Sequence, residues 1–131
     1  MKATYQGGLR TLVTHLRSGN TIITDAPPDN NGKGEAFSPT DLTCASLNSC
    51  MMTLMGMLAE RESINLEGLN SEIVKIMDAN PRKIAEIRIH FFHENLAATP
   101  VQKEKLKRAA LTCPVALSLP ETLKQIITFD F

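Results

Sequence analysis

The sequence predicts one α+β domain over residues 1–131. Segments rich in apolar and β-branched residues fill the N-terminal part and much of the second half of the chain, and some of them alternate with period 2. A long uncharged helical segment stands between them, and no internal repeat divides the chain. Strands and helices that are grouped in this way are typical of the α+β class, and the length suits one domain.

Residues 2–25 predict a β-meander. Segments 9–17 and 21–24 are β-rich, and the Gly, Ser and Asn residues beside them are turn signals. Residues 25–37 follow as a loop that is rich in Pro, Gly and Asn. A loop of this length inside a compact chain is often functional, so it is a candidate cover for a site.

A clear capping signal marks the start of a helix that is expected over residues 38–63. Ser38 suits the N-cap, Pro39 suits the first helical position, and Asp41 resembles the acid of a capping box. Residues 42–59 include no charged residue, and apolar residues occupy almost every face. Such a helix is buried on all sides or crosses a membrane. Its polar Ser, Thr and Asn residues and the strand-rich remainder favour a central helix wrapped by sheet, with help from a second chain.

The second half of the chain predicts two strands, two helices and a last strand. Proline at the expected start of the first of these helices, and again beyond its end, supports this division. The expected bounds are 69–77 and 83–92 for the two strands, 100–111 and 115–122 for the helices, and 126–131 for the final strand.

Composition argues against several classes of function. Lys and Arg total 14, as do Asp and Glu, so the chain lacks the basic excess of a nucleic-acid binder. The first residues contain no apolar signal core, which leads us to expect a cytoplasmic protein that is not attached to a membrane. The chain has no CxxC and no HExxH motif, and His90 and His93 face opposite ways on a regular strand, so we predict no metal site.

The three cysteines are therefore core residues or reactive thiols, because an odd number in a reducing compartment does not suit a disulfide framework. Cys50 lies about three turns into the long helix, where a buried thiol acts as a small hydrophobe unless a cation favours its thiolate. Cys113 precedes a proline, so it is either an ordinary cap or core residue, or a thiol activated by N–H groups at a helix start. Cys44 points to another face of the helix than Cys50 and is interpreted as a core residue.

Two arginines are candidates for the cation that a reactive Cys50 needs. Arg10 and Arg17 lie in segments that are expected to form the strands covering the long helix. Both also suit solvated positions at the edge of a sheet, and this alternative stays open at the level of sequence.

Three motifs are shared with a known family. Residues 37–42 (FSPTDL), followed by Asn48-Ser49-Cys50, form the first motif, and residues 113–119 (CPVALSL) form the second. Residues 14–19 (THLRSG), with Thr24 and Asp25 after them, form the third. Together they resemble the osmotically induced protein C and organic hydroperoxide resistance family (OsmC/Ohr), and the order of strands and helices agrees over essentially the whole chain.

The resemblance implies a fold and an activity. The fold would be an intertwined homodimer, with antiparallel sheets wrapped around long central helices and the active site at the dimer interface. Cys50 matches the peroxidatic cysteine and Cys113 the resolving cysteine of a peroxidase that acts on organic hydroperoxides in the oxidative stress response. A sulfenic acid on Cys50 would condense with Cys113 to a disulfide. An external dithiol or lipoyl-type reductant would restore the thiols, with no cofactor.

The chain departs from the family's peroxidases at two supporting positions. Those members carry a Glu where this chain has Thr40, and the nearest acid is Asp41, one residue later. Their Arg follows a Gly-Gly pair, whereas Leu9 stands between that pair and Arg10 here. These departures keep an alternative open, in which the protein is a non-enzymatic or weakly active dimer that senses redox state or binds a small molecule.

Overall fold

The computed structural model describes residues 1–131 and contains six strands and three α-helices. The α+β class that the sequence predicts is confirmed. Contacts divide the chain into two compact units, residues 1–43 and residues 44–131. The elements are β1 (Lys2–Gly7), β2 (Arg10–Thr14), β3 (Thr21–Asp25), a short 3-10 turn (Pro28–Asn30), α1 (Pro39–Arg61), β4 (Asn70–Ala79), β5 (Arg82–Phe92), α2 (Pro100–Leu111), α3 (Pro114–Ser118) and β6 (Lys124–Asp130).

The first unit holds an antiparallel sheet with the order β1-β2-β3. The β2–β3 register pairs Arg10 with Asp25. The strand expected over residues 9–17 is shorter than predicted, because the chain turns at His15. The carbonyl oxygen of His15 accepts a hydrogen bond from the N–H of Gly19 at 2.8 Å, and Gly19 adopts a φ of 76° that favours glycine.

Helix α1 begins as its capping signal predicts. The backbone N–H of Asp41 donates to Ser38 Oγ at 3.1 Å, and the N–H of Ser38 donates to Asp41 Oδ2 at 2.8 Å. These reciprocal bonds form a capping box in which Asp replaces the usual Glu or Gln.

Within the second unit, one face of α1 is buried rather than all of them. The residues of this face recur at helical spacing, namely Cys44, Leu47, Asn48, Met51, Met55 and Ala59. The opposite face carries Ser46, Ser49 and Thr53, which are exposed, and Met57, whose exposed fraction is 55%. By length and composition α1 would also suffice to cross a membrane, a property that core helices of soluble proteins share.

The second unit holds a sheet with the order β4-β5-β6. Strands β4 and β5 are antiparallel, but β6 runs parallel to β5, which corrects the expectation of purely antiparallel sheets. The physical reason is the connection between them: residues 93–123 include α2 and α3, and a crossover of this kind returns the chain in the same direction.

The core of the second unit joins β5, α1 and α2. Ile87, Ile89 and Phe91 alternate along β5 and are almost completely buried, together with Leu106 of α2. The β4–β5 ladder shifts where Ala85 is left unpaired, and this bulge lets Ile84 also pack against the core despite its odd spacing from Ile87.

The residues around α2 and α3 follow local capping rules. Helix α2 has the bounds that the sequence predicts, and a capping box between Thr99 and Gln102 fixes its start. Helix α3 is shorter than the expected segment 115–122. It ends at Ser118 because Pro120 follows closely and has no N–H to continue the helix.

Candidate active site

Cys50 lies on α1 at the border between its buried and its open face. Its neighbour Met51 is fully buried, whereas Ser49 is exposed, and Cys50 itself is partly exposed. A step of one residue turns the helix by about 100°, which explains why these three neighbours differ in solvent exposure. The position leaves the thiol within reach of a molecule from outside while its backbone is held by the helix.

Cys113 lies between α2 and α3 and is fully buried. It is the N-cap residue of α3, and its Sγ accepts a hydrogen bond from the N–H of Ala116 at 3.2 Å. Pro114 at the first position of α3 has no N–H and a fixed φ, so it ends α2 and starts α3 at this cysteine. The cap geometry that the sequence predicts for Cys113 is confirmed.

The Cys50 and Cys113 side chains lie near enough to each other for Cys50 to raise the pKa of Cys113. All three cysteines of the chain are free thiols. Because α1 supplies one sulfur and the α2–α3 junction the other, two residues that are 63 positions apart in sequence meet in the second unit. The structure thus brings together the two thiols that the sequence singles out for redox chemistry.

The pKa of Cys113 is raised above its ordinary value, which favours the cap or core alternative for this residue over a thiol activated by the helix start. Burial has the largest effect, and the adjacent Cys50 adds to it. The N–H groups of Ala116 and Val115 act in the opposite direction but do not outweigh burial. Burial at this position therefore favours the protonated thiol of Cys113.

Cys44, the third cysteine, is a core residue rather than a member of the thiol pair. It is buried in the core cluster of the second unit, with an exposed fraction of 2%. The prediction that it fills the core is confirmed.

Asn48 belongs to the first of the three motifs, but the sequence alone predicted no role for it. It is buried two residues before Cys50, and its Nδ2 donates to Met52 Sδ at 3.4 Å. Its Oδ1 is buried and has no hydrogen-bond partner within the chain. An unpaired buried acceptor is costly, by about 1–3 kcal/mol, so a donor from outside this single chain fits here.

A groove of about 380 Å³ borders α1 beyond Cys50. Leu54 and Met57 follow Cys50 by four and seven residues, so they lie on the same side of the helix. The other lining residues are Glu60, Arg61, Ala109 and Thr112, the last of which directly precedes Cys113.

The first unit contains a separate charged cluster around Arg10. Its Nε and Nη2 donate to the two carboxylate oxygens of Asp25, each at 2.7 Å, and Nη2 also donates to Glu35 at 2.7 Å. Asp25 is 1% exposed and Glu35 is 65% exposed. The Arg10 guanidinium holds the pKa of Asp25 below its ordinary value. Residues directly opposite in an antiparallel pair share a face, so the β2–β3 register is the signal that would have predicted the Arg10–Asp25 pair.

The other supporting candidates have different surroundings. Arg17 lies exposed in the turn after β2 rather than in a strand, because the chain leaves the sheet at His15. Asp41 caps α1 through Ser38, as described above.

The Arg10–Asp25 pair makes the stability of the protein depend on pH. A carboxyl whose pKa is lower in the folded state stabilises the fold above its unfolded pKa, and this contribution is lost as the pH falls below about 4. We expect Asp25→Asn to destabilise the protein at pH 7 and to differ less from wild type at pH 3. Urea unfolding at both pH values measures this, with Glu72→Gln at an exposed position as the control. An equal loss of stability at both pH values would contradict the ionic role of Asp25.

A family model and solved structures both relate this chain to OsmC-like proteins. Residues 32–127 match the family described as OsmC-like protein. A crystal structure from Psychrobacter arcticus 273-4, of a protein connected with osmotic stress induction and the detoxification response, is 45% identical. It covers 98% of this chain and 93% of its own, with a TM-score of 0.93. No curated protein is similar enough to count as a match.

Two more distant structures share the fold. The OsmC like protein from Mycoplasma pneumoniae is 18% identical, with a TM-score of 0.79 and coverage of 98% of this chain and 92% of its own. The organic hydroperoxide resistance protein OsmC from Legionella pneumophila is 19% identical, with a TM-score of 0.72 and coverage of 99% and 96%. With a family match over most of its length and a close structural relative, this chain belongs to the OsmC-like family.

Proposed function

We propose that the protein is a thiol-dependent peroxidase that reduces organic hydroperoxides. The observation that carries the proposal is the proximity of a partly exposed thiol, Cys50, to a buried one, Cys113. Membership of the OsmC-like family supports the substrate class, since the Legionella pneumophila relative is named for organic hydroperoxide resistance.

The proposed reaction uses only thiols. The Cys50 thiolate attacks the distal oxygen of the hydroperoxide, the O–O bond breaks, and the alkoxide takes up a proton and leaves as an alcohol. Cys50 is then a sulfenic acid, and Cys113 attacks its sulfur to form the disulfide with loss of water. An external dithiol, of the lipoyl or a similar type, returns two electrons and two protons, so no cofactor takes part.

Among the supporting candidates, Arg10 is the one that we propose for the cation role that the family resemblance implies. Asp25 fixes its guanidinium from a buried position, whereas Arg17 is exposed and makes no hydrogen bond through its side chain. We assign Asp41 the capping role that its bonds to Ser38 support.

We propose that the working form is a cytoplasmic homodimer. The open face of α1, with exposed Met57, and the unpaired Oδ1 of Asn48 are features that a second copy of the chain would cover or satisfy. Light scattering is expected to give twice the chain mass of 14.4 kDa. A monomer at micromolar concentration would contradict the dimer.

Steady-state turnover tests the proposed activity. The reduced protein is given cumene hydroperoxide and dithiothreitol, and loss of hydroperoxide is followed against hydrogen peroxide at the same concentration. Many turnovers, faster with cumene hydroperoxide, are expected because apolar Leu54 and Met57 follow Cys50 by about one and two turns on the same side of α1. A rate equal to that of dithiothreitol alone would exclude a peroxidase.

A redox sensor is the second candidate, and one observation favours it. Arg10 is paired with two carboxylates, those of Asp25 and Glu35, and these offset its positive charge. A thiol pair without a strong cation is oxidised slowly. Oxidation of the pair without catalytic turnover would support this second candidate.

A further inference from the structure

The two sulfurs of the thiol pair differ in how far a molecule from outside can reach them. Cys113 has an exposed fraction of 0%, whereas Cys50 is partly exposed. A thiolate attacks a disulfide along the line of the sulfur–sulfur bond, from the side opposite the leaving sulfur, so the attacked sulfur must be reachable. Cys113 is already inaccessible within the single chain, so packing of a second chain would not expose it.

We propose that the dithiol reductant attacks the Cys50 sulfur of the Cys50–Cys113 disulfide and that Cys113 is always the leaving thiol. This inference rests on the proposed function, because it concerns the disulfide that the peroxidase cycle produces. It assigns the two cysteines different roles in the reductive half of the cycle: Cys50 receives both the peroxide oxygen and the reductant, and Cys113 contacts neither.

The surroundings of each sulfur support this direction. Cys50 is partly exposed, and a groove lined by Leu54 and Met57 begins about one turn further along the same side of α1. On the other side, the N–H of Ala116 points at Cys113 Sγ, where it can stabilise the negative charge that forms as this sulfur leaves. Burial raises the pKa of Cys113 and so slows its departure, but a slow leaving group does not make a buried sulfur accessible.

The proposed step balances as follows. The reductant thiolate forms a bond to Cys50 Sγ while the Cys50–Cys113 bond breaks, and its electron pair stays on Cys113, which takes up a proton. The second thiol of the reductant, as its thiolate, then attacks the reductant sulfur that is bound to Cys50. This closes the oxidised ring of the reductant and expels Cys50 as a thiolate. The protein gains two electrons and the dithiol loses two.

A monothiol traps the intermediate because it has no second thiol with which to complete the reaction. The wild-type disulfide is formed with diamide, which joins thiols without peroxidase activity, and is then treated with 2-mercaptoethanol. Acid quenching, alkylation with N-ethylmaleimide and peptide mass spectrometry locate the adduct. We expect mercaptoethanol on Cys50 and maleimide on Cys113, in at least about tenfold excess over the reverse, because a buried sulfur reacts only after local opening.

Single-cysteine variants give a second measurement that does not depend on trapping. Cys50 alone (Cys44→Ser with Cys113→Ser) is expected to react with 4,4′-dithiodipyridine at least about tenfold faster than Cys113 alone (Cys44→Ser with Cys50→Ser). Both should react equally in guanidinium chloride, which is the control for folding.

The outcomes separate this inference from the proposed function. Adducts on Cys113, or equal rates for the two folded single-cysteine variants, overturn the assignment even if the protein reduces hydroperoxides. Adducts on Cys50 support the assignment even if hydroperoxide turnover fails, because diamide forms the disulfide without it.

Discussion

Replacing Cys50 by Ser is expected to slow hydroperoxide reduction by about a thousandfold or more. A serine hydroxyl at this partly exposed position is a far weaker nucleophile than a thiolate, and Cys113 is too buried to replace it. The measurement is the initial rate of cumene hydroperoxide loss with excess dithiothreitol.

Cys44→Ser is the matched control, since it removes another thiol from the same helix. It is expected to leave the initial rate within about threefold of wild type, once circular dichroism shows that each variant is folded. If Cys50→Ser kept the wild-type rate while Cys44→Ser lost it, the peroxidatic role would belong to Cys44.

Replacing Cys113 by Ser is expected to stop the cycle at the sulfenic acid. Cys50 would still react with one equivalent of hydroperoxide, but no thiol would stand beside it to form the disulfide. Dimedone should then label Cys50 in the variant and not in the wild type, and excess hydroperoxide should convert the variant to the sulfinic acid. Turnover with dithiothreitol is expected to fall by about tenfold or more, because the reductant must intercept a short-lived species.

Mass spectrometry of the labelled peptides checks this second expectation. Equal dimedone labelling of wild type and Cys113→Ser would mean that Cys113 does not resolve the sulfenic acid. Labelling of Cys44 in either protein would show that the reactive thiol had been misassigned.

Local sequence signals predicted much of this fold because they act over a few residues. The Ser38–Asp41 capping box and the proline beside Cys113 fix helix starts through bonds to the nearest turn. Period-2 burial along β5 follows from the alternation of side chains on a strand. These features depend little on the rest of the chain, so a single sequence suffices to find them.

Features that depend on distant segments were not predicted. The direction of β6 follows from a crossover through α2 and α3, and the partners of Arg10 follow from the register of β2 and β3. The pKa direction of Cys113 depended on a competition between burial and capping N–H groups, and only the packed structure shows that burial has the larger effect. Helix α1 carries apolar residues on almost every face in the sequence, but only one of its faces is buried within the single chain.

The most direct test of the redox pair is the reaction of the fully reduced protein with one equivalent of cumene hydroperoxide. Free thiols are counted before and after, and peptide mass spectrometry maps any bridge. The three free thiols of each chain are expected to fall to one, with a Cys50–Cys113 disulfide in the same chain and Cys44 still free. Three remaining free thiols, or a bridge that includes Cys44, would contradict the account.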